Sequence, residues 1–293
     1  KNKGFLTFTL NYLDNDIFIM ICLHKGGYKL ANIVSLVNQK GGVGKTTTTH
    51  NLGYALARDE EEKSAQKTLI VDLDPQMNLS DTLGIDCYAQ NKSIHDVLVS
   101  KELPLGRVVQ NTNNENLDII PSDFELSGAE VEFTKKINPN ALLRRSITKS
   151  MEENYDFILI DCPPALGTLT INALTASDYV IIPMQPETYA LYGIDLLVTT
   201  VEEVQEEINS KLQIMGVLIT MHDGRLNVHK EMTEQIQKYF KGNVMNTIIK
   251  TNTKLKEAQN NHASIFEYDG RARGAKNYEK LAREVVLKCQ EKQ

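Results

Sequence analysis

Lys40-Gly41-Gly42-Val43-Gly44-Lys45-Thr46 decides the fold. Just before it, Ile33-Val34-Ser35-Leu36-Val37-Asn38 predicts a buried strand. Just after it, Thr47 to Arg58 predicts a helix with Leu52, Ala55 and Leu56 on one face. A strand, a Gly-rich turn and a helix start make a cradle for phosphate. The glycines let successive backbone N–H groups point at one anion, and the helix N-terminus adds partial positive charge. In such a cradle Lys45 reaches the β- and γ-phosphates and Thr46 holds Mg²⁺.

The general P-loop pattern places Gly six residues before its Lys. Here that position is Gln39, and Lys40 follows it. This is the deviant Walker A form, which carries a second, signature lysine.

Two further apolar runs end in carboxylates. Thr68-Leu69-Ile70-Val71-Asp72-Leu73-Asp74 predicts a central parallel strand that delivers Asp72 and Asp74 to its C-terminal edge, where open α/β sheets bind ligands. Side chains alternate along a strand, so the two acids share one side. Phe157-Ile158-Leu159-Ile160-Asp161 has the Walker B arrangement, with Asp161 placed to hold Mg²⁺. One of Asp72 and Asp74 can sit in the outer shell of that ion, and the other can orient a water near the γ-phosphate.

The remaining chain predicts helices over 93–100, 140–152, 187–209, 228–240 and 276–289. It predicts strands over 117–121, 179–183, 214–220 and 244–249, with Ser122 capping a helix after the first of these. Alternating strands and helices imply a mostly parallel, twisted α/β sheet covered on both faces. No Pro/Gly/Ser linker interrupts residues 30–293, so residues 31–293 read as one domain. Residues 1–30 read as a poorly ordered extension.

Composition narrows the partners. The net charge of −6 argues against a protein that coats nucleic acid everywhere. Yet residues 225–276 hold ten basic residues against five acidic ones, a local charge of +5. Segregated positive charge is what sequence-independent phosphate binding needs. Cys22, Cys87, Cys162 and Cys289 show no C-x-x-C spacing, which disfavours a zinc or iron–sulfur scaffold within one chain. No apolar run nears the roughly 18–20 residues that span a bilayer; Ile17 to Leu23 is far too short. Unpaired thiols and a nucleotide loop fit a cytoplasmic protein.

Together, Asn38 to Thr48, Val71 to Gln76 and Ile160 to Pro164 resemble the ParA/Soj family of chromosome and plasmid partition ATPases. Leu218 to Arg225, Ile265 to Asp269 and Arg273 to Ala275 extend the resemblance, which runs from about Ile33 to Val286. It implies an Mg²⁺-dependent ATPase that binds ATP through Lys40, Gly41, Gly42, Val43, Gly44, Lys45, Thr46 and Thr47. It implies a homodimer that sandwiches two ATP molecules, with Lys40 reaching across to the partner's phosphates. Asp74 matches the water-activating carboxylate, and Asp161 to Leu169 match a switch segment. The resemblance also implies ATP-gated, non-specific binding of double-stranded DNA on the nucleoid, with Arg225 the foremost contact and Lys250, Lys254, Arg271 and Arg273 behind it. A ParB-type centromere-binding partner would stimulate hydrolysis.

The sequence departs from the family where Met77 replaces a usual Gly, at Ile248 to Asn252, and at Glu257-Ala258-Gln259. Two other readings keep the loop. One positions a protein cargo on the nucleoid. The other is a MinD-like membrane regulator, which would need an amphipathic C-terminal anchor; Leu281, Val285 and Val286 form only a modest stripe.

Overall fold

The computed structural model describes residues 30–58, 65–87, 92–100 and 103–291. The expected N-terminal extension, up to residue 29, lies outside the described residues. So does most of the charged connection after Arg58.

The strands are β1 (Asn32–Leu36), β2 (Thr68–Asp72), β3 (Gln110–Asn111), β4 (Leu117–Ile120), β5 (Phe157–Asp161), β6 (Tyr179–Met184) and β7 (Gln213–Ile219). They form one sheet in the order β3-β4-β2-β5-β1-β6-β7. Every neighbouring pair is parallel except the short β3–β4 edge. The mostly parallel sheet read from the sequence is therefore present, with an antiparallel edge that its short, polar strand gave no sign of.

The helices are α1 (Lys45–Ala57), α2 (Asn78–Thr82), α3 (Ile94–Val99), α4 (Ala129–Phe133), α5 (Leu142–Ser146), α6 (Lys149–Asn154), α7 (Thr168–Ala176), α8 (Ile194–Glu207), α9 (Asn227–Phe240), α10 (Thr253–Asn260), α11 (Ile265–Asp269) and α12 (Arg273–Gln290). Two apolar layers sandwich the sheet. Ile33, Val71, Ile158, Ile160, Val180 and Ile182 point into one, with α3, α7 and α8. Val34, Ile70, Leu159 and Ile181 point into the other, with α1 and α12. Strands buried on both faces explain why the sequence reads as continuous Ile/Val/Leu runs. Gly53 lets α1 settle on the sheet, because a Cβ there would meet the Ile70 side chain at 2.8 Å.

Four local expectations are corrected. Residues 244–249 form only isolated bridges, Val217 with Val244 and His222 with Lys250. A seventh parallel strand fails because the Glu284 carboxylate takes the backbone N–H groups of Asn246 and Thr247 (2.7 and 2.8 Å). The helix expected over 140–152 breaks at Ile147, and the Thr148 hydroxyl caps a new one through Met151 N. The helix expected from Glu187 starts only at Ile194, after Gly193 in the left-handed region (φ 78°). Ser122 is no cap; Asp123 does that work, accepting from Leu126 N at 3.0 Å.

α12 buries Tyr278, Leu281, Val285 and Cys289 against the core. Its apolar stripe is thus occupied by packing rather than offered to a membrane. Among the described residues no helix is long and apolar enough to cross one.

His50, on α1, is 3% exposed, and burial pushes its imidazole down to about 4. An unfolded chain takes up that proton near pH 6.5. Below pH 6.5 the unfolded state therefore binds more protons, and the stability held at neutral pH drains away as pH falls toward 4. Between pH 7 and 5 the native chain should lose about 2 kcal/mol more than a His50→Gln variant, which has no such group to charge. Urea unfolding at both pH values measures the difference; parallel losses would remove His50 from the acid response.

Candidate nucleotide site

The cradle begins at the C-terminal end of β1, in the middle of the sheet, with β5 on one side and β6 on the other. α1 leaves toward β2 on one face, while α7 connects β5 to β6 across the opposite face. Divergent crossovers open a crevice at this switch point.

The loop is braced from beneath. Asn38 Nδ2 donates to Pro183 O (2.7 Å) and Asn38 Oδ1 accepts from Lys40 N (2.9 Å). Thr220 Oγ1 donates to Val43 O (2.7 Å), and the Val43 side chain is buried. Gly41 and Gly42 sit exposed at the crest, with nothing near the positions their Cβ atoms would take. Gly44 turns the chain into α1 with φ 89°, a conformation that disfavours any side chain. No side chain caps α1, so its first N–H groups stay available to an anion.

Lys45 is buried and folds back over the loop, donating to Asn38 O (3.0 Å) and Lys40 O (3.4 Å). Burial lowers its pKa, and the nearby charges of Asp161, Cys162 and Asp74 oppose the shift. Thr46 Oγ1 donates to Asp161 Oδ2 (2.7 Å). Thr49, one turn on, adds a bond to Asp161 Oδ1 (3.3 Å). Thr47 is half-buried beside them, its carbonyl accepting from Asn51 Nδ2.

Asp161 and Asp72 are paired in register across β5 and β2, and both are fully buried. Burial, reinforced by the Asp72 charge, pushes the Asp161 carboxyl up to about 8. Burial likewise raises Asp72 to about 6, against the pull of its hydrogen bonds to Ser80. Ser80 N and Ser80 Oγ both donate to Asp72 Oδ2 (2.8 and 2.7 Å), and Asp74 N donates to Asp72 Oδ1 (3.1 Å). Asp72 thus anchors α2 and the Asp74 loop while lying next to Asp161. Asp74 is 6% exposed, and its Oδ1 accepts from Gln76 N. The crowded acids fit a divalent cation, because a double positive charge is what relieves buried like charges. Thr46 and Asp161 are the residues that would hold Mg²⁺.

Lys40 behaves differently from Lys45. Its side chain is 45% exposed and forms an ion pair with Glu187 outside the cradle. Sequence reasoning missed Glu187, Thr49 and Ser80. Thr49 could have been found, since i, i+4 from Lys45 shares a helix face. Glu187 could not, being brought in by the topology alone.

The proposed DNA contacts converge on one corner. Thr251 bonds to His222 O and Met221 O, and Lys250 N donates to Asn277 of α12. Arg271 and Arg273 lie exposed at the start of α12. Two of the five cations are already paired. Arg225 is gripped by Asp223 through Nε (2.9 and 3.2 Å) and Nη2 (2.6 Å), which holds the Asp223 carboxyl far below the usual range. Lys254 meets Glu257 at 2.8 Å and lies over the Tyr268 ring.

Fold and site together define a nucleotide-binding P-loop protein. A family model described as an AAA domain matches residues 31–214. The chain is 44% identical over 257 residues to the sporulation initiation inhibitor protein Soj of Bacillus subtilis strain 168, covering 88% of this chain and 99% of that one. It is 44% identical over 252 residues to the chromosome-partitioning ATPase Soj of Treponema pallidum strain Nichols, covering 86% and 96%. Among solved structures it resembles cobyrinic acid a,c-diamide synthase of Mycobacterium smegmatis with bound ATP analogue and magnesium, with TM-score 0.77 and 28% identity over 90% and 98% of the two chains. The chain belongs to the AAA-domain family and, within it, to the Soj/ParA chromosome-partitioning ATPases.

The Met77 backbone takes a shape that glycine adopts most easily: φ 58°, ψ 20°. It is the N-cap residue of α2, with Met77 N donating to Asp74 O (2.9 Å). The left-handed region costs a side chain about 1–2 kcal/mol, partly offset by the extra freedom glycine has when unfolded. Met77→Gly should therefore stabilise the chain by roughly 0.5–1 kcal/mol. Denaturant midpoints measure this; a loss would mean the Met77 side chain more than repays its strain.

Proposed function

We propose that residues 31–293 act as one ATP-driven partition unit. ATP and Mg²⁺ bind the 40–47 cradle, two subunits close face to face, the dimer holds DNA without sequence preference, and hydrolysis releases it. The observation that carries this reading is the division of labour between the two lysines. Lys45 lies inside its own cradle. Lys40 is half exposed with its ammonium paired to Glu187 outside the cradle, which supports a role on the phosphates of a second subunit, as an arginine finger has.

The surroundings support a dimer face. Tyr189, Tyr192 and Leu196 are 77%, 90% and 58% exposed, on the segment that carries Glu187 and starts α8. Large apolar side chains clustered beside a site are characteristic of a contact surface. Asp74 is assigned the attacking water: it is a buried carboxylate on the loop after β2, with Asp72 holding the loop in place. Asp161 and Thr46 serve the metal. The transferred phosphoryl group needs charge stabilisation and an oriented water, and these residues supply both.

DNA binding is supported by the corner that gathers Arg225, Lys250, Lys254, Arg271 and Arg273. A dimer doubles the number of phosphate contacts, which makes affinity depend on ATP. A ParB-type partner, nucleoid association and a cytoplasmic setting follow from the family reading.

Lys40→Ala should retain ATP binding and lose the ATP-dependent dimer, read by equilibrium dialysis and sedimentation velocity. A stable dimer would remove Lys40 from its role in trans. Asp74→Ala should bind ATP, dimerise and remain on DNA, with turnover lowered at least a hundredfold. The deciding experiment is co-sedimentation with unrelated plasmid DNA under ATP, ADP and no nucleotide, at two salt concentrations. Retention only with ATP, fading steeply with salt, is expected. Equal retention in all three states would overturn nucleotide gating.

A further inference from the structure

A second cluster of donors lies away from the nucleotide cradle, at the C-terminal end of β4. His95 is in the first turn of α3. Asp123 and Glu125 belong to the 3₁₀ turn Phe124–Ser127 and its cap. One ligand atom from each of the three lies within 4.8 Å of the other two. His95 Nδ1 is 3.5 Å from Glu125 Oε2. Two ligands each about 2.0–2.1 Å from a tetrahedral ion sit about 3.4 Å apart, so this pair already has a chelating separation.

The imidazole gives an independent indication. The His95 side chain is only 9% exposed, and its Nδ1 is shielded from solvent with no hydrogen bond. Buried polar nitrogens almost always have a partner, and leaving one without costs free energy. This nitrogen makes no hydrogen bond, and the Glu125 carboxylate lies 3.5 Å from it.

The carboxylates are held without being used up. Asp123 Oδ1 accepts from Leu126 N (3.0 Å) and Asp123 Oδ2 accepts from Ser93 Oγ (2.5 Å). Each oxygen keeps a second lone pair. Ser93 Oγ also accepts from His95 N (3.0 Å), so one hydroxyl ties the Asp123 carboxylate to the His95 backbone. Such hydrogen bonds to ligands are typical of metal sites. Glu125 reaches in from solvent, 76% exposed, which leaves the open side to water.

We propose that His95, Asp123 and Glu125 form a site for a first-row divalent cation of the Zn²⁺ type, completed by water. An imidazole nitrogen among the ligands disfavours Mg²⁺ and Ca²⁺, which take oxygen. The site is distinct from the cradle but connected to it. Ser122, beside Asp123, donates its N–H to Ser80 Oγ (3.1 Å), and Ser80 holds Asp72. A bound ion would clip α3 to the turn after β4 and stiffen the support of the Asp74 loop.

The test uses the untagged full chain, free of nucleotide and magnesium, titrated with Zn²⁺ by calorimetry. The wild type should bind one ion at this site, with a raised Tm. Glu125→Gln, a solvent-facing change that leaves the core intact, should weaken that binding at least tenfold and abolish the Tm rise. His95→Ala should do the same. Asp161→Asn, in the cradle, should leave this affinity unchanged. No Zn²⁺ binding by the wild type, or equal affinity in wild type and Glu125→Gln, would overturn the site.

Discussion

Two carboxylates that ought to repel each other are held side by side at the centre of this molecule. Asp72 and Asp161 end adjacent parallel strands in register, both without solvent. A buried pair of like charges is tolerable only when hydrogen bonds, cations or protons compensate it. Every neighbouring element supplies one of these. Ser80 at the start of α2 serves Asp72, Thr46 and Thr49 on α1 serve Asp161, and Lys45 brings an ammonium close by. The sheet order that sets β5 between β1 and β2 is what places all four donors around one point.

This arrangement explains what was legible beforehand. The cradle and the strand-ending acids are local patterns: a glycine turn needs glycines, and a doubly covered strand needs an unbroken apolar run. Both survive in the sequence because physics ties them to adjacent residues. Glu187 and Ser80 are different. Nothing at position 187 announces a partner 147 residues away. Ser80 looks like an ordinary helix-start serine until the register delivers Asp72 to it. The failed strand over 244–249 belongs with them: its β-branched residues suit a sheet, but Glu284 of α12 intercepts its N–H groups. Long-range competition of this kind overrides propensity.

Charge counting over a span leaves out one neighbour. The +5 of residues 225–276 stops two residues short of Asp223, the acid that grips Arg225. A cation already paired with a carboxylate must exchange that partner for a phosphate, and the net gain shrinks accordingly. Under the proposed DNA binding, Lys250, Arg271 and Arg273 would therefore carry more of the attraction to phosphate than Arg225.

The contact between Lys40 and Glu187 has a consequence for timing. Both side chains are nearly half exposed, and pairs of that kind contribute about 0–1 kcal/mol. At the upper end of that range, roughly one subunit in six has its lysine swinging free at any instant. If Lys40 acts in trans as proposed, an approaching second subunit would not need to pry the latch open or wait for nucleotide to do so. It would meet a population in which the lysine is already loose some of the time, and would withdraw those members from the exchange.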